Sequence, residues 1–560
     1  MERTISRRRF VRVAATGAGL IILGDPLLQR SRLAVAQASD IAFSQGVASG
    51  EPTQNAITLW THLDGLDAPA RVAFELSDDP GFGRILAAGE ALADPADGGA
   101  ARVRVEGLAP GTQAYYRFTS GGVDSPVGRL RTVRPPDSAE PTRIAVFSCQ
   151  EFIAGHFWAH RDLAAQDDID LVVCLGDYIY EQAFATTLSI ARPVRTDNSV
   201  PSGEAETLDE YRAKYALYHG DADLRAVRQQ HSLVGVWDDH EVEDNYAGLV
   251  KGGAAENRRL PFATRRANAY RAFFEAMPRL RDPAEADRIY RSIPLGAAEL
   301  FLLDTRQYRT NQVCDPSDGA LQLGCPPQQY NRKFSTLLGA PQKTWLKSRL
   351  KTSPAPWKVI GTQVMIMSLD ASPGWPLNTD AWDGYGAERA ELIDHLEREG
   401  IEDVTFLAGD IHTFFAGSVS RTGRARNTVA GRSHGAFATE FVCGSITSPG
   451  ISDRFASNER DRRAVSRTID GLVLANNPHM AYSNQAYKGY GLLTASSQEL
   501  RVEYRAARDI RSAKPDVFRL AEFRVPRGIA RVERTFSAYP LAPRGSGPLP
   551  AHLSPSAIHA

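Results

Sequence analysis

Val404-Thr405-Phe406-Leu407-Ala408-Gly409-Asp410-Ile411-His412 is an apolar, β-branched run that ends abruptly on a glycine, a carboxylate and an imidazole. Such a continuous run fits a strand covered on both faces, because a strand with one wet face would alternate. Gly409 permits a tight turn where another group approaches the backbone closely. Asp410 and His412 are two residues apart, so on an extended segment both side chains project from one face.

The same pattern recurs in both directions along the chain. Residues 144–147 run into Ser148-Cys149, 171–175 into Gly176-Asp177, and 233–237 into Asp238-Asp239-His240. Further on, 300–303 run into Asp304-Thr305-Arg306 and 357–361 into Gln363. Helical periodicity lies between them, over 208–218, 264–277 and 388–399. Apolar strands alternating with helices predict an α/β fold, in which ligands bind beyond the carboxyl ends of the strands. One aspartate after a strand would be ordinary; the repetition is the signal.

Upstream the pattern changes. Residues 42–133 carry short alternating strands at 56–62, 70–76, 101–105 and 113–120, divided by Gly, Pro and Asp. Without a helical run, these predict a small β-sandwich. Residues 108–118 resemble the late strands of fibronectin type III-like modules, and Arg134-Pro135-Pro136 reads as the linker. The N-terminus is an address. Ser6-Arg7-Arg8-Arg9-Phe10-Val11-Arg12, an apolar stretch over 13–23 and Ala36-Gln37-Ala38 follow the order of a twin-arginine secretory signal. That makes the export machinery a partner and places the mature protein outside the cytoplasmic membrane, periplasmic or extracellular. The apolar stretch is too short for an anchor. The expected segments are a signal over 1–38, a β-sandwich over 40–136, a catalytic domain over 140–526 and a partly disordered extension over 527–560.

Composition excludes several classes. At 560 residues, more than one globular unit is required, and 43% hydrophobic with 23% charged residues is an ordinary soluble composition. Lys+Arg 65 against Asp+Glu 66 leaves a net charge of −1, which argues against non-specific nucleic-acid binding. Five cysteines cannot scaffold so long a chain. Cys314 and Cys325 flank a short loop and either pair or stay free, Cys174 and Cys443 sit in apolar runs, and Cys149 ends a strand. No nucleophile elbow, dinucleotide fingerprint or phosphate loop is present.

The strand-end residues point to metal chemistry. Asp177, Asp410 and His412 supply two carboxylates and an imidazole, the donor types of a two-metal clamp for phosphoester hydrolysis. Asp238-Asp239-His240-Glu241 would repel itself in a core without cations. Taken singly, each acidic turn reads equally as a helix cap or a solvated loop.

The motifs Ser148-Cys149-Gln150, Gly176-Asp177-Tyr178-Ile179-Tyr180-Glu181, Trp237-Asp238-Asp239-His240-Glu241-Val242 and Leu303-Asp304-Thr305-Arg306-Gln307-Tyr308-Arg309 resemble the PhoD-like alkaline phosphatases in order and spacing. Gly361-Thr362-Gln363, Trp382-Asp383-Gly384-Tyr385, Gly409-Asp410-Ile411-His412, Asn477-Pro478-His479 and Gly489-Tyr490 extend the resemblance over the mature chain. It implies a metallophosphoesterase-type four-layer αββα sandwich preceded by a small fibronectin type III-like β-sandwich. The implied activity is hydrolysis of phosphate monoesters by a monomeric enzyme, with phosphodiesters or phospholipids as the alternative substrates. The implied cofactors are Fe3+ and Ca2+. Cys149, Asp177, Tyr180 and His412 would hold iron; Asp177, Asp410 and the 239–245 segment would hold calcium. The chain departs from the family at Glu243-Asp244-Asn245, which leaves open which of Asp239, Asp244 and Asn245 meets calcium. Phenolate suits ferric iron, and oxygen-only donors suit calcium. His240 would position phosphate, protonate the leaving group or bond a carboxylate; Arg306 would reach phosphate or pair with Asp304. His479 and Tyr490 fall where the family covers its site.

Overall fold

The computed structural model describes residues 13–14, 41–136, 138–184, 192, 203–253, 258–285, 287–312, 334–372, 374–423 and 435–540. Most of the expected signal, Cys314, Cys325 and the C-terminal tail lie outside them. The chain divides into two compact units.

In the first unit, Ala100–Glu106, Ala56–His62 and Val47–Gly50 pair antiparallel. Ile85–Ala93, Ala70–Ser77, Gln113–Ser120 and Gly128–Arg131 form a second sheet. Gln113–Ser120 buries every second residue, as a strand with one core face must. Ile57, Leu59 and Val103 from one sheet share a core with Val72, Phe74 and Phe118 from the other. Two later segments, His219–Val234 and Phe274–Asp287, return to this unit. Trp60 binds them there: its Nε1 donates to Glu275 O at 2.8 Å, and the Arg228 guanidinium lies 4.5 Å above its ring.

The second unit is built on two mixed sheets. In one, Leu171–Cys174 pairs parallel with Thr142–Phe147, which pairs antiparallel with Lys488–Ala495. Glu499–Ala507, Val517–Pro526 and Glu533–Ser537 continue that sheet antiparallel. In the other, Ala298–Leu302, Trp357–Gly361, Val404–Ala408 and Ala436–Val442 run parallel. Phe414–Ser420 and Met480–Asn484 extend it antiparallel. Every residue of Val404–Ala408 and Leu171–Cys174 is buried, which is why these stretches read as unbroken apolar runs. Helix Gly386–Arg398 turns Leu392, Ile393 and Leu396 into a core that also takes Ile360, Phe406 and Val442. Each such fully buried side chain contributes roughly 1.5–3 kcal/mol against exposure. Because the central strands are held from both sides, their carboxyl ends can carry irregular turns without loosening the sheet.

Candidate active site

Those turns are where the chain leaves ordinary backbone geometry. Among the described residues eight other than glycine have positive φ: Glu51, Phe82, Cys149, Asp177, Asn245, Asp403, Asp410 and His412. Five of the eight are residues that the sequence nominates as ligands. A left-handed conformation costs a side-chain-bearing residue roughly 1–2 kcal/mol and persists only where surrounding structure enforces it. Two glycines provide the room. A Cβ on Gly176 would collide with Asp238, and one on Gly409 would collide with Ser148.

The turns bring three overlapping groups together. Cys149, Asp177 and His412 place ligand atoms within 4.8 Å of one another, as do Asp177, Asp239 and His240, and likewise Asp238, Asp239 and Asp410. Asp177 belongs to the first two groups and Asp239 to the last two. The Tyr180 hydroxyl joins the first group, 3.2 Å from Asp177 Oδ2 and 3.3 Å from His412 Nε2. His412 Nδ1 lies 2.8 Å from Pro449 O, and a carbonyl only accepts, so Nδ1 carries the proton and Nε2 offers its lone pair to the group. Ser448 Oγ sits 2.7 Å from the Tyr180 hydroxyl.

Crowding of acids in a dry site shows in their proton affinities. Burial, then the Asp239 charge, pushes Asp177 well above the usual carboxylate range, and burial with Asp238 does the same to Asp410. Burial lifts Asp238 and Asp244 to about 7 and Glu241 to about 8. Burial also raises the Cys149 thiol and the Tyr180 phenol, with Asp177 adding to both. Asp239 moves the other way: burial opposes its charge, but Arg306 and His240 outweigh burial. Its Oδ1 is buried without a hydrogen-bond partner, and the Arg306 Nη2 lies 3.4 Å away.

His240 is stacked on Tyr180 with ring centroids 4.1 Å apart, and its Nδ1 is 2.8 Å from Glu181 Oε2. Burial disfavours its cation, yet the Glu181, Asp239 and Asp177 charges hold its pKa well above that of a free imidazole. Arg306 is fully buried and spans the carboxylates: Nε bonds Asp238 Oδ1, Nη1 lies 3.0 Å from Asp380 Oδ1, and Nη2 lies 3.6 Å from Asp410 Oδ1. Asp304 instead accepts the backbone N–H groups of Arg306 at 3.0 Å and Gln307 at 2.9 Å, so it shapes the turn and leaves the guanidinium to other acids. Asn245 donates its backbone N–H to Asp239 Oδ2 at 2.8 Å, and its side-chain amide donates to Asp244 Oδ1 at 2.9 Å.

Several participants were not singled out from the sequence. Glu241 accepts the N–H groups of Asp177 at 3.0 Å, Tyr178 at 2.6 Å and Asp238 at 2.7 Å, knotting two strand-end turns into one. Glu181 and Glu241 stand within the quoted motifs, but nothing in a sequence separates a ligand from a buried acceptor of backbone N–H groups. Asp380 and Asn378 follow no apolar strand run; Asn378 Nδ2 nonetheless lies 3.4 Å from Asp410 Oδ2. His479 and Tyr490, expected over the site, bond in the interior: His479 Nε2 to Ser368 O at 2.8 Å, and the Tyr490 hydroxyl to Asp162 Oδ2 at 2.6 Å. Gln363 ties Thr305 to Leu303, while Trp382 and Tyr385 lie in the core. Cys174 and Cys443 are buried, as the apolar runs imply.

Comparison with known proteins gives this architecture its class. A purple acid phosphatase from yellow lupin (Lupinus luteus) seeds superposes with a TM-score of 0.52 over 87% of this chain and 74% of its own, at 13% identity, which is a likeness of fold. The solved structure of PhoD superposes with a TM-score of 0.79 over 90% of this chain and 93% of its own, at 30% identity. The protein is an enzyme, a phosphatase. Alkaline phosphatase D of Bacillus subtilis (strain 168) is 35% identical over 528 residues, covering 90% of this chain and 85% of that one. The profile of the PhoD-like phosphatases matches residues 144–504, and that of their N-terminal domain matches residues 29–134. The chain belongs to the PhoD-like phosphatase family.

Proposed function

We propose that the protein is a secreted, metal-dependent phosphoesterase that releases inorganic phosphate from phosphate monoesters, with Fe3+ and Ca2+ as its cofactors. The observation that carries this reading is the convergence of thiol, phenol, carboxylate and imidazole on one point, beside a group made of carboxylates alone. The donors fit the ions. Cys149, Asp177, Tyr180 and His412 offer a ferric ion a phenolate and an imidazole lone pair, and Asp177, Asp239 and Asp410 offer calcium only oxygen. The Asp239 oxygen without a hydrogen-bond partner and the raised proton affinities of Asp177 and Asp410 both describe a site short of positive charge. Of the three residues left open for calcium, Asp239 has the best support, since its Oδ2 accepts from Asn245 while its buried Oδ1 has no hydrogen-bond partner.

When bound, such ions supply Lewis-acid stabilisation to the charge that grows on phosphoryl oxygens. The chain's own residues do the rest. Glu181, an acceptor, keeps the proton on His240 Nδ1 and sustains the imidazolium, whose Nε2–H can donate to a leaving alkoxide. Arg306 acts through the carboxylates it orients, because its buried guanidinium lies within ion-pair distance of Asp238, Asp239 and Asp380. Within this reading the two mixed sheets are the centre of a four-layer αββα sandwich, and the first unit is a fibronectin type III-like module. The leader at Arg7-Arg8 directs export of a monomer, and no helix among the described residues is long and apolar enough to cross a membrane.

The test is a paired initial-rate assay at alkaline pH with p-nitrophenyl phosphate and bis-p-nitrophenyl phosphate. Rates are taken before EDTA, after EDTA and after calcium is restored. The expected result is a faster monoester reaction, lost with EDTA and recovered with calcium. A faster diester reaction would make it a phosphodiesterase, and no turnover of either by metal-loaded protein would overturn the reading.

A further inference from the structure

Beyond strand Ala436–Val442 the chain runs through Ser445-Ile446-Thr447-Ser448-Pro449-Gly450 and passes behind Tyr180 and His412. Ser448 reaches the Tyr180 hydroxyl, and the Pro449 carbonyl takes the His412 Nδ1 proton at 2.8 Å. The other side of that same peptide unit is also held: the Gly450 N–H donates to Asp453 Oδ2 at 2.8 Å. A trans peptide is planar, so its N–H and C=O point in opposite directions and turn together. Whatever holds the Gly450 N–H therefore aims the carbonyl that aims the imidazole. Asp453 is itself held. Its Oδ2 lies 2.9 Å from the buried Lys488 Nζ, and its Oδ1 lies 3.9 Å from Arg462 Nε. Glycine at position 450 lets these groups close up, since a Cβ there would stand 3.0 Å from His412 O and 3.1 Å from Lys488 Nζ.

We propose that Asp453, fixed by Lys488, is a positioning residue for His412, aiming the Pro449 carbonyl and polarising the Pro449–Gly450 peptide. The inference rests on the metal reading above, in which His412 is a ligand. A carboxylate on the N–H of a peptide strengthens its carbonyl as an acceptor. A stronger acceptor on Nδ1–H makes Nε2 a more basic donor, as a carboxylate bonded directly to a metal-binding histidine does. The peptide is thus interposed between carboxylate and imidazole. The competing role for Asp453 is to cap the short turn Ile451–Arg454 from within, by accepting the N–H of Gly450, the residue just before the turn. A cap needs an oxygen but no charge, and it needs no buried lysine.

Asp453→Asn separates the two roles because it can keep an oxygen toward Gly450 while losing the charge. Lys488→Met removes the nearest counter-charge, Arg462 and Arg511 lying 3.9 and 3.8 Å from Oδ1, and Lys488→Arg restores it. Full-length protein loaded with iron and calcium is dialysed against graded chelator, and bound metal per chain is measured by mass spectrometry. Thermal melting of the metal-free forms is followed in parallel. Asp453→Asn and Lys488→Met should lose half their iron at roughly ten-fold less chelator than wild type. Lys488→Arg should return to the wild-type midpoint. The double variant Asp453→Asn with Lys488→Met, which leaves neither charge unpaired, should keep the roughly ten-fold loss with a metal-free melting temperature near wild type. An unchanged chelator midpoint in Asp453→Asn would overturn the proposal. So would weakened retention in the double variant matched by an equal loss of metal-free stability, which is the signature of a cap alone. Wild-type protein that retains no metal under these conditions fails the metal reading itself and takes this proposal with it.

Discussion

The two halves of the site are held in different ways. Around Cys149, Tyr180 and His412 the groups in direct contact are neutral, the Pro449 carbonyl and a serine hydroxyl. Cys149 and His412 stand on turns at positive φ, and the charges of Asp453 and Lys488 lie one peptide further back. Around Asp238, Asp239 and Asp410 the holding is ionic, with one buried guanidinium spanning the acids and holding the charge of Asp239 against burial. Neutral hydrogen bonds fix direction at little electrostatic cost, whereas a buried ion pair that loses one member leaves an uncompensated charge. Side chains in the first half should therefore be removable at the expense of function, and those in the second at the expense of the fold.

The largest effect should come where the halves meet. Asp177 shares one group with Cys149 and His412 and another with Asp239 and His240, so Asp177→Asn should empty both ion sites and lower kcat/KM on the order of ten-thousandfold, about 5.5 kcal/mol of barrier. Steady-state kinetics with metal analysis checks this, and retention of one ion with activity would separate the halves. Arg306→Met comes next. It should cost the metal-free chain about 3–5 kcal/mol in urea unfolding, with part of the loss recovered when calcium is supplied. A variant as stable as wild type would show that the guanidinium adds little to the holding of these acids. Cys149→Ser should act on function alone. We expect iron content and kcat/KM to fall together, roughly a hundredfold in rate or about 2.7 kcal/mol, with metal-free stability within about 1 kcal/mol. Full iron content in that variant would remove Cys149 from the ligands.

How much of this was legible follows the same division. Continuous apolar strands ending in Asp, Cys and His are visible in a sequence because a strand buried on both faces cannot hide its composition, and Trp357–Gly361 and Val404–Ala408 fall where the pattern puts them. Asp177, Asp410 and His412 were legible because they sit two to four residues past the ends of Leu171–Cys174 and Val404–Ala408. Glu241 was not, because its work is to accept three backbone N–H groups, a role that depends on two turns meeting in space. Asp380 was not, because its link to Arg306 spans 74 residues and follows no strand. Nor does local pattern reveal that His219–Val234 and Phe274–Asp287 return to the first unit. The antiparallel strands from Lys488 onward carry no chemistry-bearing ends, so nothing marked them as the second half of the Thr142–Phe147 sheet.

A third buried carboxylate sharpens the comparison, because the protein satisfies it without an ion. Glu440, inside Ala436–Val442, accepts the N–H groups of Ile366 and Met367, both at 2.7 Å. Burial raises its pKa to about 7 from 4.5, with the two N–H bonds opposing. The folded chain then keeps a proton that the unfolded chain has lost, so its contribution to stability is complete below about pH 4.5. That contribution falls as pH rises through about 7, by at most about 1.4 kcal/mol per pH unit. Glu440→Gln cannot titrate and should flatten this slope between pH 5 and 7 in urea unfolding, at a fixed cost of roughly 1–3 kcal/mol for the one N–H left facing the amide NH2 without an acceptor. The metal-loaded enzyme should show the same change of slope as the metal-free chain, because Glu440 has its partners already. A slope that disappears when ions bind would mean that Glu440 is coupled to the site, and that the neutral and ionic halves are not separable.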